Sequence, residues 1–179
     1  MRTRAVFVDR DGAINEKPVE GSYVTQWDEF HFLPSVPDAV RILNENGFLV
    51  IVITNQRGVA LGHLSQASLD DIHMRMTSEL QEQDAFIDAV YFCPHEENSC
   101  ECRKPALGMF LKAIERWPDI NVSNSFVVGD SWRDMAAARG LGTRAIFVGS
   151  AAQLAAHEGD ADAYVASLFD AVVCHISPQ

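Results

Sequence analysis

Four short segments carry side chains that could handle an anionic group. Asp9-Arg10-Asp11-Gly12 holds two carboxylates two residues apart. In an extended chain such residues project to a similar side. Like charges held close push one pKa up, which suits one carboxyl as nucleophile and the other as acid/base. A plain turn or helix-cap aspartate is the competing use of the tetrapeptide, and Gly12 allows a tight turn with close approach of a ligand to the backbone. Thr54-Asn55-Gln56-Arg57-Gly58 offers a hydroxyl, an amide and backbone N–H groups to a phosphoryl oxygen, although Thr-Asn is also ordinary turn chemistry. Cys102-Arg103-Lys104-Pro105 sets a cation just before a helix. Gly129-Asp130-Ser131-Trp132-Arg133-Asp134 adds two carboxylates four residues apart. Converging on the first pair, they would form a hard-oxygen site for Mg²⁺. Capping the following helix competes for Asp134 more than for Asp130.

A second kind of chemistry sits in Cys93-Pro94-His95 and Cys100-Glu101-Cys102. Three thiols and one imidazole complete a tetrahedral set of the kind that holds Zn²⁺. With all four positions filled by protein, such an ion is structural. Free cysteines beside an unrelated histidine are the bland alternative. A nucleic-acid-binding zinc module is another, and the lack of an Arg/Lys-rich helix beside the cluster weighs against it. The spacing also ties the two chemistries together, because Cys102 lies two residues before Lys104. A metal clamp would order the polar Glu96–Ser99 loop and direct Arg103 and Lys104. Cys174 stands alone and reads as a packed core cysteine.

The elements that must position these residues follow from hydrophobic patterning. Continuous apolar runs at Ala5–Val8, Leu49–Thr54, Ala89–Phe92, Phe126–Val128 and Ala145–Val148 suit strands buried on both faces, with a weaker run at Ala171–Val173. Between them, helical spacing covers Val36–Asn46, Ser65–Gln83, Leu107–Trp117, Arg133–Arg139 and Ala151–His157. The alternation predicts an α/β fold, a three-layer Rossmann-like parallel sheet covered by helices. Ligands in such folds bind beyond the carboxyl ends of the strands. Three of the segments follow strands there, and Cys102-Arg103-Lys104-Pro105 lies just before a helix near the same edge.

Composition narrows the partners. The chain has 179 residues and a formal net charge of −11. The length fits one domain, here taken as 1–179 with the zinc loop at 93–102. The charge disfavours nucleic acid and anionic membranes as general partners, while a small phosphorylated metabolite depends on local potential rather than on the total. No apolar stretch approaches the ~20 residues of a membrane span, and the amino terminus does not read as a signal peptide. A monomer in the cytoplasm is expected.

The segments Val-Phe-Val-Asp9-Arg10-Asp11-Gly12, Ile-Thr54-Asn55, Lys104-Pro105 and Val-Gly129-Asp130-x-x-x-Asp134 resemble, in order and spacing, the four motifs of the haloacid dehalogenase-like (HAD) phosphohydrolases. The match runs from about residue 4 to 148. Within that superfamily, Cys-Pro-His, Cys-x-Cys-Arg-Lys-Pro and Gly108-Met109 are similar to the zinc-containing heptose 1,7-bisphosphate and histidinol-phosphate phosphatases. Gly21-Ser22-Tyr23-Val24 and Phe30-His31-Phe32-Leu33 lean to the heptose group. Two positions depart from it: that group carries a small residue where Arg57 stands and an arginine where Leu61 stands.

The resemblance implies a capless HAD-like fold and an aspartyl-phosphate mechanism. Asp9 is then the nucleophile and Asp11 the acid/base. Mg²⁺ is held by Asp9, Asp11 through its backbone carbonyl, and Asp130. Thr54 and Lys104 hold phosphoryl oxygens, Asn55 and Arg103 orient the substrate, and Asp134, Gly12 and Arg57 support the site. Cys93, His95, Cys100 and Cys102 take Zn²⁺. The substrate expected first is a heptose bisphosphate losing its 7-phosphate. Histidinol phosphate or another small metabolite is the alternative. A phosphotransferase would need a cap to exclude water, and a non-catalytic, zinc-stabilised phospholigand-binding domain would need neither a nucleophile nor an acid.

Overall fold

The strands of this computed structural model, which describes residues 3–155 and 160–177, run β1 (Arg4–Val8), β2 (Phe48–Asn55), β3 (Ala89–Cys93), β4 (Phe126–Gly129), β5 (Arg144–Val148) and β6 (Ala163–Val165). They pair in parallel, in the order β3-β2-β1-β4-β5-β6. The helices are α1 (Val36–Glu45), α2 (Gln66–Gln81), α3 (Gly108–Arg116), α4 (Trp132–Leu141), α5 (Ala151–Ala155) and α6 (Leu168–Ala171).

Unbroken apolar runs become strands here because both faces of the sheet are covered. Successive residues alternate between two cores. Val6, Val8, Val50, Val52 and Val128 pack towards α1, α2 and α6. Ala5, Phe7, Ile51, Ile53 and Val127 pack towards α3 and α4. Ala5 to Val8 are fully buried. Phe7 meets Phe110 edge to face at 5.2 Å between centroids, which locks α3 to β1.

Helix starts follow local chemistry. Ser65 caps α2, its Oγ accepting from the Ser68 N–H at 3.0 Å. The stripe Leu69, Ile72, Met76 and Leu80 is buried as its spacing requires, and His73 is buried with it. A capping box closes the start of α4: the Ser131 Oγ accepts from the first turn, and Asp134 accepts from the Ser131 N–H at 3.1 Å. The loop between β1 and α1 is pinned by Trp27, Phe30 and Phe32, with Phe30 stacked on Trp27 at 5.0 Å and set edge-on to Phe32 at 5.1 Å.

The carboxyl-terminal region differs from expectation in three ways. Ala171–Val173 is not a strand: it ends α6 and enters a π-helical turn at Val172–Ile176. Ala171 and Val172 are buried against the first core, so the apolar run reflected burial rather than extension. The sixth strand is Ala163–Val165, whose three residues alternate buried, exposed, buried at the sheet edge and were too few to stand out. Cys174 is exposed on the π-helical turn and is not a core residue. The helix expected at Ala151–His157 is described as far as Ala155, and its remaining residues lie outside the described range.

Candidate active site and metal centres

The strand order reverses direction beside β1, between it and β4. A parallel sheet opens a crevice at such a point, beyond the carboxyl ends of its strands. Asp9 follows β1 and Asp130 follows β4, and the Asp9 N–H donates to the Val128 carbonyl at 2.9 Å. A cleft of about 140 Å³ opens there, lined by Asp9, Asp11, Lys17, Thr54, Lys104 and Asp130 among others.

Lys104 organises this cleft. Its Nζ lies 2.9 Å from Asp9 Oδ1 and 2.6 Å from Asp134 Oδ1, and donates to the Ile53 carbonyl at 2.6 Å. Burial works against its charge, but Asp134 and then Asp9 overcome this and hold its pKa above the ordinary lysine value. It therefore stays an ammonium through the neutral range. Burial pushes the Asp134 carboxyl up to about 7 against the pull of Lys104, with Asp9 adding to the upward push. Asp134 thus both caps α4 and pairs with Lys104. Asp130 is raised by burial and by Asp9, while Lys17, 2.6 Å from its Oδ2, opposes. Gly12 adopts φ +87°, and a Cβ there would overlap the Asp130 carboxylate.

Asp11 sits in a separate cradle. Arg10, fully buried, forks onto its carboxylate, with Nε and Nη2 at 3.1 and 2.8 Å from Oδ1. The Asn15 Nδ2 and Gln56 Nε2 groups each donate to it at 2.9 Å. Burial opposes its charge, but Arg10 and these hydrogen bonds hold its pKa below the ordinary aspartate value. Thr54, 1% exposed, reaches the cleft and accepts from Gln56 Nε2 at 2.9 Å.

Asn55 lines the cleft and also holds the lysine loop. Its amide donates to the Lys104 carbonyl at 3.1 Å and accepts from the Lys104 N–H at 3.0 Å, which staples the end of β2 to the lysine loop. Arg103 lines the cleft and pairs with Glu97 at 3.3 Å. Arg133 reaches the same Glu97 oxygen at 3.3 Å. Arg57 is not among the cleft-lining residues, and its Nε is buried without a hydrogen-bond partner. Sequence reasoning missed Arg10, Asn15, Lys17, Gln56 and His73. Of these His73 had a signal, since it falls on the apolar stripe of α2.

Two donor sets suit metals. Oxygen atoms of Asp9, Asp130 and Asp134 lie within 4.8 Å of one another. Three crowded carboxylates face Lys104 and the half-exposed Lys17, so a hard divalent cation fits both the donor type and the charge. The second set is Cys93, His95, Cys100 and Cys102. Their contacts run from 3.2 Å, between Cys93 and Cys102, to 3.6 Å, between Cys93 Sγ and His95 Nδ1. Burial pushes the Cys93 thiol up to about 12. At Cys100, hydrogen bonds from Cys102 and nearby backbone outweigh burial and bring the thiol down to about 6. Sulfur atoms packed this closely can all ionise only around a soft cation, and three thiols with one imidazole match Zn²⁺. Gly108 is required beside this loop, because a Cβ there would stand 2.5 Å from the Glu101 carbonyl oxygen.

Residues 5–167 match the family model described as polynucleotide kinase 3 phosphatase. The chain is 39% identical to a D-glycero-beta-D-manno-heptose-1,7-bisphosphate 7-phosphatase of Escherichia coli, over 79% of this chain and 78% of that one. It is 35% identical to the Haemophilus ducreyi protein of the same name, over 96% and 98%. In structure it is similar to the D,D-heptose 1,7-bisphosphate phosphatase of B. bronchiseptica complexed with magnesium and phosphate. That likeness has a TM-score of 0.84 at 31% identity and covers 93% of this chain and 94% of that one.

Proposed function

Because the chain belongs to the family of HAD-like phosphatases that contains the D-glycero-beta-D-manno-heptose-1,7-bisphosphate 7-phosphatases, we propose that it hydrolyses a phosphomonoester and removes the 7-phosphate of a heptose 1,7-bisphosphate. The observation that carries this reading is the convergence of Asp9, Asp11, Asp130 and Lys104 on one cleft at the strand ends. The acidic chain, at −11, speaks for a small sugar phosphate over a polynucleotide. No described helix is long and apolar enough to cross a membrane. We read residues 1–179 as one phosphatase domain acting as a monomer in the cytoplasm.

In this reading Asp9 attacks phosphorus, and the bond from phosphorus to the sugar oxygen breaks. Asp11, a carboxylate before substrate binds, takes up a proton as the phosphate's negative charge arrives beside it, gives that proton to the departing alkoxide, then takes one from the water whose oxygen attacks the aspartyl-phosphate. Inorganic phosphate leaves and Asp9 is restored. Lys104 offsets charge on the non-bridging oxygens, and Thr54 offers its hydroxyl to them. The Asp9 carboxylate, the Asp11 carbonyl and Asp130 would hold Mg²⁺, which would supply charge to offset repulsion between nucleophile and phosphate. Asn55 acts by fixing the Lys104 backbone, and Asp134 by holding its ammonium. The Cys93, His95, Cys100 and Cys102 set takes Zn²⁺ as a clip that aims Arg103 and Lys104.

The second phosphate of the substrate suits the adjoining cleft of about 380 Å³, lined by Arg103 and Arg133. The Arg103 Nη1 is buried there without a hydrogen-bond partner, and a guanidinium fork matches a phosphate. A Mg²⁺-dependent phosphate-release panel tests the proposal. Heptose 1,7-bisphosphate should exceed histidinol phosphate by about tenfold or more in kcat/KM. The reverse order would reassign the substrate, and no release from any phosphomonoester would leave only a binding role. Asp9→Asn should stay folded and lose turnover.

A further inference from the structure

We propose that Arg10, itself steered by His73, is a positioning residue that fixes the direction of the Asp11 carboxylate in the cleft. The inference deepens the phosphatase reading and rests on it.

Arg10 is 0% exposed and so cannot touch a substrate. Whatever it does for the reaction passes through its neighbours. A fully buried arginine is uncommon and is held by specific partners. Here its fork is spent on one carboxylate: Nε and Nη2 meet Asp11 Oδ1, and Nη2 also lies 3.1 Å from Oδ2. The remaining arm, Nη1, meets His73 Nε2 at 3.2 Å. Arginine has no acceptor, so His73 Nε2 must offer its lone pair and the ring must be neutral. Burial, with Arg10 adding to it, holds this histidine at about 3, consistent with that form. Phe92, 5.5 Å away between ring centroids, and the guanidinium resting over Phe30 at 5.9 Å close the remaining sides.

The result is a chain of contacts from α2 through Arg10 to Asp11. Asn15 and Gln56 complete it from two further segments. The Asp11 side chain remains 22% exposed, on the cleft side. Four donors of fixed direction leave the carboxylate little freedom to turn. A proton donor misplaced by about 1 Å loses on the order of 100-fold in rate.

The test separates positioning from bulk structure by leaving group. A sugar alkoxide needs a proton as it departs, whereas p-nitrophenolate does not. Arg10→Lys keeps the buried charge and removes the fork. Its kcat on the sugar bisphosphate should fall about 100-fold with KM within about threefold, while single-turnover release of p-nitrophenolate from p-nitrophenyl phosphate falls less than about fivefold. His73→Leu, which removes the acceptor, should show the same split at about tenfold, and His73→Gln, which keeps one, should restore most of the rate. Equal losses on both substrates, or wild-type kcat in Arg10→Lys, overturn the inference. If Arg10→Lys does not fold, equal kcat in the two His73 variants overturns it instead. Wild-type protein that releases phosphate from neither the sugar bisphosphate nor p-nitrophenyl phosphate overturns the phosphatase reading and this inference together. An active wild type beside indifferent variants overturns this inference alone.

Discussion

The cleft and the cysteine clip are adjacent in the chain, joined through Cys102-Arg103-Lys104, yet they are assembled on opposite principles. In the cleft every carboxylate meets a cation of the same chain: Asp9 and Asp134 meet Lys104, Asp130 meets Lys17, and Asp11 meets Arg10. Opposite charges at these distances hold the site together before any ligand arrives. In the clip, four potential ligands meet one another, and their contacts involve no cationic side chain. The chain itself builds the cleft, whereas the clip, in the proposed reading, is completed by an ion. Removing a residue should break the first, whereas removing a metal should break the second and only loosen the first.

The largest effect should come from Lys104→Met, which keeps most of the volume and deletes the charge. Asp134 is 1% exposed and would be left with a single backbone donor, the Ser131 N–H. Removing one partner of a buried pair costs about 3 kcal/mol or more. Turnover should fall at least about 1,000-fold, since phosphoryl charge would lose its fixed cation. Denaturant melts and phosphate release check both. A variant as stable as wild type would erase the contrast, because the cleft would then not depend on its internal charges.

Next should come Gly12→Ala. The φ of +87° disfavours a side chain, and the added Cβ would displace Asp130. Asp130 moves while Lys104 keeps its partners, so a loss of about 100-fold in kcat with a stability change near 1–2 kcal/mol is expected. A stability loss with unchanged kcat would show that Asp130 is not placed by this glycine.

The clip should respond more mildly. Stripping metal from Cys93, His95, Cys100 and Cys102 with a chelator, in excess Mg²⁺, should lower kcat/KM about tenfold while the core stays folded by circular dichroism. The reason is geometric: the Glu96–Ser99 loop would release Glu97, and with it the anchor shared by Arg103 and Arg133. Full activity in protein shown to be metal-free at the clip would break the link between the two regions.

What the sequence revealed follows the same division. The clip was legible because its ligands fall within ten residues. Asp9 and Asp130 were legible because each directly follows a strand, Lys104 because it precedes a helix, and Asp11 and Asp134 because they lie two and four residues beyond the first two. The bonds between them were not. Arg10 reads as a surface residue by type, and its partner His73 lies 63 positions away. Asn55 was expected at the cleft and lines it, but nothing local announced that its amide also holds the backbone of a residue 49 positions on. Lys17 sits in a polar loop where nothing local marks it as the partner of Asp130, 113 positions later. In the fold, the central strands announced themselves by continuous burial, while β6 has one exposed residue in three and no run long enough to be seen.

The smallest effect tests the cleft side with protons rather than with a chelator. His73 is held neutral in the fold, at about 3 against an ordinary 6.5. Between these values the unfolded chain binds a proton that the folded chain does not. Stability from this group is therefore complete above about pH 6.5 and drains away as the pH falls towards 3. By pH 5 the loss should reach about 2 kcal/mol. His73→Gln cannot titrate and should lack this component. Comparing denaturant midpoints of the two proteins at pH 7 and pH 5, with the metals at fixed concentration, isolates the component. A gap that closes by about 2 kcal/mol on acidification fits a neutral histidine accepting from Arg10. Parallel losses would mean that His73 is already protonated, or already free, in the folded state, and the contacts running from α2 to Asp11 would lose their first member.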